Sequence, residues 1–231
     1  MFLFRKVSPL VGKVQHPAKF SDELIPQLYV MLNGTKNVLD PMAGVGKITH
    51  IRELGYDGLI YCNELEPEWA EQIEGAYKIT TCDARNLPYP DNFFDAICTS
   101  PPYANRLGDD FEARDGSKRI TYRHYLGRKL SGGSTANLQW GEKYRQGQKE
   151  IWKECIRVLK PNGIFILNIS DHIRRGQVVP VSEWHKQTLV DMGLEYHNTT
   201  TIETKRMRFG ANSHLRVGHE NIFVFRKPEF N

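Results

Sequence analysis

Short apolar runs alternate along this chain with longer stretches of helical spacing. Val38-Leu39-Asp40, Leu59–Asn63, Tyr77–Cys82 and Phe93–Cys98 read as strands, and the very apolar Ile164–Ile169 reads as a buried central one. Between them lie helical patterns. Asp22–Leu32 places Leu24, Leu28 and Met31/Leu32 on one face behind a Ser21 N-cap, and Asn33-Gly34 stops it. Further helices are predicted from Lys47 to about Leu54, from Glu68 to Gly75 behind Pro67, from about Trp140 to Leu159, and over Val181–Met192. Two last β-like runs, Tyr196–Ile202 and Asn221–Phe225, have no helix between them and predict an antiparallel hairpin at the sheet edge. The alternation implies an α/β fold: one doubly wound, mostly parallel, seven-stranded sheet closed by that hairpin. No repeat and no second core divides residues 1–231, so a single domain is expected, with residues 1–20 as an N-terminal arm.

The periodicity fails in one long stretch. Residues 104–139 are rich in Gly, Ser, Arg and Tyr, and from Arg106 to Arg145 nine Lys/Arg face five Asp/Glu. Their excess equals the whole chain's net charge of +4, so the mild basicity (pI about 8.8) is concentrated between Arg106 and Arg145. A polyanionic partner is thereby permitted rather than demanded. No apolar run approaches the length of a membrane span, and no signal-peptide core precedes the first helix, so a cytoplasmic location is expected. Cys62, Cys82, Cys98 and Cys155 lack CxxC spacing and read as free thiols, with no metal site expected.

Candidate chemistry sits at the strand ends. Asp40-Pro41-Met42-Ala43-Gly44-Val45-Gly46-Lys47 is a Gly-rich turn between a strand and a helix. A P-loop would need Gly at Pro41 and Ser/Thr at Ile48, and a dinucleotide fingerprint would need Gly at Thr49. A third reading fits better. Gly44 and Gly46 allow close backbone approach, Asp40 can accept from an ammonium, and Glu64 can accept from both ribose hydroxyls. Asp83, beside Ala84 at the third strand's end, can accept from an adenine amino group. Each acid alone could be a cap or a solvated side chain. Three at consecutive strand ends describe a ligand with an amino group, a ribose and an adenine but no phosphate, which is S-adenosylmethionine.

The fourth strand runs into Thr99-Ser100-Pro101-Pro102-Tyr103. Two prolines stop the strand and stiffen the turn. Ser100 Oγ and the Pro101 carbonyl can accept from an NH2 group, and Tyr103 offers a face for a planar ring. With these residues in place, the chain resembles the DNA amino-methyltransferases, which methylate exocyclic nitrogens from S-adenosylmethionine. Asp40–Gly46 is similar to that family's Asp-Pro-x-x-Gly-x-Gly loop, and Ser100-Pro101-Pro102-Tyr103 to its Asp/Asn/Ser-Pro-Pro-Tyr/Phe motif. The segment His16–Phe20 resembles the one whose aromatic, here Phe20, packs on the cofactor. His219–Lys227 resembles the family's final strand. The resemblance implies catalytic roles for Ser100, Pro101, Pro102 and Tyr103. It implies cofactor roles for Phe20, Asp40, Pro41, Ala43, Gly44, Gly46, Glu64, Asp83, Ala84 and Ser100.

Ser in the motif's first position resembles the cytosine-N4 branch, Asp being commoner in adenine-N6 enzymes. The implied partner is DNA, with the base flipped from the duplex. Arg106, Arg114, Lys118, Arg119, Arg123, Arg128 and Lys129, with Arg206 and Arg208, are the expected phosphate contacts, interleaved by Tyr122, Tyr125 and Trp140. An RNA methyltransferase acting on an exocyclic amine, and a catalytically silent nucleic-acid binder, are the alternatives, and oligomeric state is left open. His172 reads as a structural histidine with base contact as its rival.

Overall fold

The computed structural model describes residues 15–16, 20–104, 121–174, 176–204 and 217–229. The expected contacts Arg106, Arg114, Lys118, Arg119, Arg206 and Arg208 lie outside the described residues, as does most of the 1–20 arm.

Seven strands form the main sheet. β1 (Asn37–Asp40), β2 (Leu59–Asn63), β3 (Lys78–Thr80), β4 (Phe94–Thr99) and β5 (Leu159–Ile169) run parallel. β8 (Glu195–Glu203) and β9 (His219–Arg226) pair antiparallel, with β9 also antiparallel to β5, so the order is β3-β2-β1-β4-β5-β9-β8. The predicted sheet and its terminal hairpin are both present. A separate ribbon, β6 (His172–Arg174) with β7 (Gln177–Val179), turns at Gly176 (φ +76°) and was not expected.

The pleat divides the strands' side chains between two helical layers. Val38, Ile60, Cys62, Ala96, Cys98 and Ile166 face α1 (Leu24–Leu32) and the segment Lys47–Leu54. Leu39, Ile97, Phe165 and Leu167 face α4 (Glu142–Val158) and α5 (Val181–Asp191). Both faces are buried, which is why these strands read as continuous apolar runs.

Several elements differ from expectation, among them α1, whose N-cap is Glu23 and not the expected Ser21, and β5, which already starts at Leu159. Lys47–Leu54 is wound as a 3-10 helix, with Thr49 N–H bonded to Gly46 and Gly55 N–H to Arg52. The helix after Pro67 is a single turn, α2 (Pro67–Ala70). Beyond it, i−3 bonds from Gln72 and Ile73 tighten the chain, and Ile73 tucks beneath Gly46. β3 is only three residues long because contact with β2 then passes to a side chain. Asn63 Nδ2 donates to the Cys82 carbonyl at 3.0 Å, and Asn63 Oδ1 accepts from Thr80. The four cysteines are free thiols.

From β1 the chain winds outward through β2 and β3, then returns to place β4 on β1's other side. That reversal opens a crevice between the carboxyl ends of β1 and β4. In register, Leu39 lies beside Ile97, so Asp40 and Ser100 emerge from adjacent strand tips.

Phe165 lies on the central strand, edge-on to Trp152 at 5.5 Å and Phe225 at 6.3 Å. Phe165→Ala is expected to cost about 3–5 kcal/mol in urea denaturation. Val30→Ser, on an α1 residue 73% exposed, is expected to stay within about 0.5 kcal/mol.

Candidate functional site

The crevice is a cleft of about 510 Å³ in which the expected cofactor and catalytic segments meet. Asp40, Pro41, Ala43, Gly44, Glu64, Asp83 and Ala84 line it together with Ser100, Pro101, Pro102 and Tyr103, and Phe20 closes one side. Gly46 stands behind this wall. The charged lining is acidic: Asp40, Glu64, Glu66, Asp83 and Glu220 against Lys47, which is paired with Asp22 at 2.6 Å. Such a lining repels phosphate and suits a ligand that presents an ammonium and hydroxyls.

Local geometry fixes each acid. Asp40, 2% exposed at the tip of β1, accepts from Met42 N–H at 3.1 Å. Burial pushes its pKa up to about 7, with Met42 N–H and the Thr99 hydroxyl acting the other way. Glu64 is buried at the end of β2, and its two oxygens accept from Gly44 N–H at 2.7 Å and Glu66 N–H at 2.9 Å. Its pKa also rises to about 7, chiefly through burial, with repulsion from Glu66 and Asp40 adding to it. The bond from Gly44 needs that residue's left-handed backbone (φ +56°), and a Cβ there would stand 3.1 Å from the His16 ring. Gly46 is also left-handed (φ +75°), and a Cβ on it would sit 2.6 Å from the Ile73 side chain. Asp83 is clasped by Arg85, whose Nε lies 3.0 Å from Oδ1. Burial raises the Asp83 pKa, yet the guanidinium prevails and holds it below the usual range.

On the facing side, Ser100 Oγ lies 3.5 Å from the Tyr103 hydroxyl, and the half-buried Tyr103 ring packs on the larger core cluster. The two acceptors and the aromatic face sit at the mouth of the same cleft as the acids.

The described half of the basic insertion has a different place from the one expected of it. Residues 121–140 fold over the cleft as a wall. Thr121 caps α3 (Tyr122–Leu126) by accepting from His124 N–H, and Tyr122, Leu130 and Ala136 form a small core with Trp69. The His16 ring is edge-on to Trp69 at 4.3 Å. Arg128, expected on phosphates, is instead engaged by carboxylates: Nε is 2.7 Å from Glu68 Oε1, and Nη2 is 2.7 Å from Glu66 Oε2. Glu66, 2% exposed, also accepts from Ser131 N–H and Oγ. A cation held this way fastens the wall. Tyr122 likewise belongs to the wall. Lys129 is exposed and Arg123 partly so. His172 is buried at the start of β6, edge-on to Trp140 at 6.3 Å.

Sequence reasoning missed Trp69, Leu130, Ala136 and Glu66. The one usable signal was spacing: Glu64 and Glu66, two apart in an extended segment, share a side.

The pattern of the DNA methylase family matches residues 94–231, from the start of β4 through the Ser-Pro-Pro-Tyr loop to the end of the chain. No curated protein matches the sequence. Among solved structures, the [4+2]-cyclase SpnF superposes with a TM-score of 0.57 at 16% identity, over 90% of this chain and 81% of its own. The N-methyltransferase NodS from Bradyrhizobium japonicum, in complex with S-adenosyl-L-homocysteine, gives 0.54 at 11% identity, over 90% and 85%. A SAM-dependent methyltransferase from Methanosarcina mazei gives 0.54 at 14% identity, over 88% and 97%. These likenesses establish the fold. The family pattern covers more than half of the 231 residues, so this chain belongs to the DNA methylase family and is an S-adenosylmethionine-dependent methyltransferase.

Proposed function

We propose that this protein, acting as a single methyltransferase domain, methylates the exocyclic amino nitrogen of a DNA base, cytosine N4, after the base has turned out of its stack. The observation that carries the reading is the shared cleft: carboxylates suited to an adenosyl amino acid and the Ser100–Tyr103 loop open into one space.

The lining fits the cofactor. In this reading Asp40 accepts from its ammonium, Glu64 from its ribose hydroxyls and Asp83 from its adenine amino group. Pro41, Ala43, Gly44 and Gly46 shape the loop beneath it, while Phe20 and Ala84 pack on its apolar faces. When bound, the cofactor supplies an electrophilic methyl group. The chain's own residues then arrange the acceptor nitrogen. Tyr103 stacks on the everted ring. Ser100 Oγ and the Pro101 carbonyl accept the two amino hydrogens, which aims the nitrogen lone pair at the methyl group. The Pro102 carbonyl is already engaged by Tyr144. Neutral Ser100 is a poor base, so the N–C bond would form as the sulfonium's S–CH3 bond breaks to leave the thioether, and the proton would depart to solvent afterwards. Ser in the motif's first position supports cytosine over adenine. Arg123, Arg128 and Lys129, with Arg106, Arg114, Lys118, Arg119, Arg206 and Arg208, are the proposed phosphate contacts, Arg128 also being paired with Glu66 and Glu68.

Nucleoside mass spectrometry after incubation with cofactor and mixed-sequence DNA or RNA is expected to find N4-methylcytosine in DNA. N6-methyladenine alone would overturn the base assignment, and methylation confined to RNA would overturn the substrate. Ser100→Ala is expected to lower kcat by about 10–100-fold. Tyr103→Ala is expected to lower kcat/KM for DNA by a similar factor, since stacking is worth about 1–3 kcal/mol. Tyr103→Ala should keep its cofactor affinity by calorimetry.

The two raised carboxylates give a pH dependence of definite sign. Below about 7, Asp40 and Glu64 are protonated in the folded protein and ionised in the unfolded chain down to the ordinary carboxylate range. The apo protein therefore loses stability as pH rises from that range to 7, by at most about 1.4 kcal/mol per pH unit per group. Cofactor binding runs the other way, because the ligand needs the ionised acids. Its dissociation constant is expected to rise by up to about tenfold per pH unit per group as pH falls below 7. In Asp40→Asn the cofactor binds more weakly and the slope flattens, which titration calorimetry from pH 5.5 to 8 measures.

A further inference from the structure

The Ser-Pro-Pro-Tyr loop is held from behind by hydrogen bonds that run into the core. Tyr144, fully buried on α4, lies 2.7 Å from the Pro102 carbonyl and 3.0 Å from His185 Nε2. Trp152 Nε1 lies 3.1 Å from His185 Nδ1. The proton positions follow from the donor inventory. An indole N–H can only donate, so His185 Nδ1 is the bare, accepting nitrogen. The neutral imidazole then carries its proton on Nε2 and donates it to Tyr144 Oη. The phenol's own proton goes to Pro102. Burial brings the His185 pKa down to about 3, so this arrangement persists at any working pH.

The loop needs such a hold. Its two prolines contribute no N–H, which leaves the loop short of backbone donors to hold it against neighbouring strands. Directly after Tyr103, Ala104 is buried in the left-handed region (φ +57°), a conformation that disfavours a residue with a Cβ. The Ala104 backbone also lies close enough to Tyr144 to oppose burial's upward push on the phenol. Phenylalanine would fill the same space; only the hydroxyl makes the bonds to Pro102 and His185.

We propose that Tyr144 is the positioning residue of the target-base loop: its hydroxyl, oriented by His185 and Trp152, pins the backbone on both sides of Tyr103 and sets the angle of that ring. The role in catalysis rests on the reading that Tyr103 meets the target base. The clamp itself can be read without any substrate.

The test compares the whole protein with Tyr144→Phe. The variant is expected to bind S-adenosylhomocysteine within about twofold of the parent by calorimetry, while kcat for DNA at saturating cofactor falls about tenfold. The Ala104 amide, followed by NMR hydrogen exchange, should exchange about tenfold faster. Adding Ala104→Gly to Tyr144→Phe should recover about threefold of the lost kcat, because glycine takes the left-handed backbone without penalty. A role in core packing alone would gain nothing from a change at 104. His185→Gln, which keeps an acceptor and a donor, should retain turnover, whereas His185→Leu should lower it; this pair decides if Tyr144→Phe does not fold. Unchanged Ala104 exchange, or a DNA kcat in Tyr144→Phe within about twofold of the parent, overturns the clamp. If the parent methylates no DNA, the substrate reading falls, and Ala104 exchange alone upholds or overturns the clamp.

Discussion

Two buried carboxylates set the terms for this molecule. Asp40 and Glu64 share a cleft and are stabilised by backbone N–H groups, from Met42, Gly44 and Glu66, rather than by cations. Burial raises both to about 7, so ionising them in the empty protein opposes folding. A chain selected for stability alone would replace them with apolar side chains. In the proposed reading, a ligand that brings an ammonium and two ribose hydroxyls converts that cost into affinity.

That arrangement depends on topology. Because the chain winds out through β3 and returns beside β1, the first acid and the Ser-Pro-Pro-Tyr loop emerge from neighbouring strands. The fold alone would leave the cleft open. Residues 121–140 close it, and their attachment uses the acidic segment again: Glu66 and Glu68 hold Arg128, Glu66 holds Ser131, and Arg85, clasped to Asp83, reaches toward Gly133. One short stretch of acids thus serves both the floor and the wall of the site.

Much of this was legible in the sequence. Strands buried on both faces announce themselves as apolar runs, and strand-end acids with Gly44 and Gly46 are local signals that need no knowledge of distant contacts. The winding of Lys47–Leu54 as a 3-10 helix, and the curtailing of α2 to one turn, were not legible. Both adjoin a contact the sequence does not show, Ile73 packed under Gly46, residues 27 apart in the chain. The wall was hidden for a similar reason. Its residues show no periodicity, and its charge read as a nucleic-acid surface until Arg128 was seen against Glu66 and Glu68. The Tyr144–His185–Trp152 chain joins two helices that look, in sequence, like ordinary amphipathic ones.

The central claim is that the acidic strand tips and the diproline loop serve one ligand pair in one cleft. A crystal structure with S-adenosylhomocysteine tests it most directly. The account predicts the ribose hydroxyls on Glu64, the amino group on Asp40, and the thioether sulfur facing Ser100–Tyr103. A ligand seated outside the cleft, or inside it with the sulfur turned away from that loop, would contradict it.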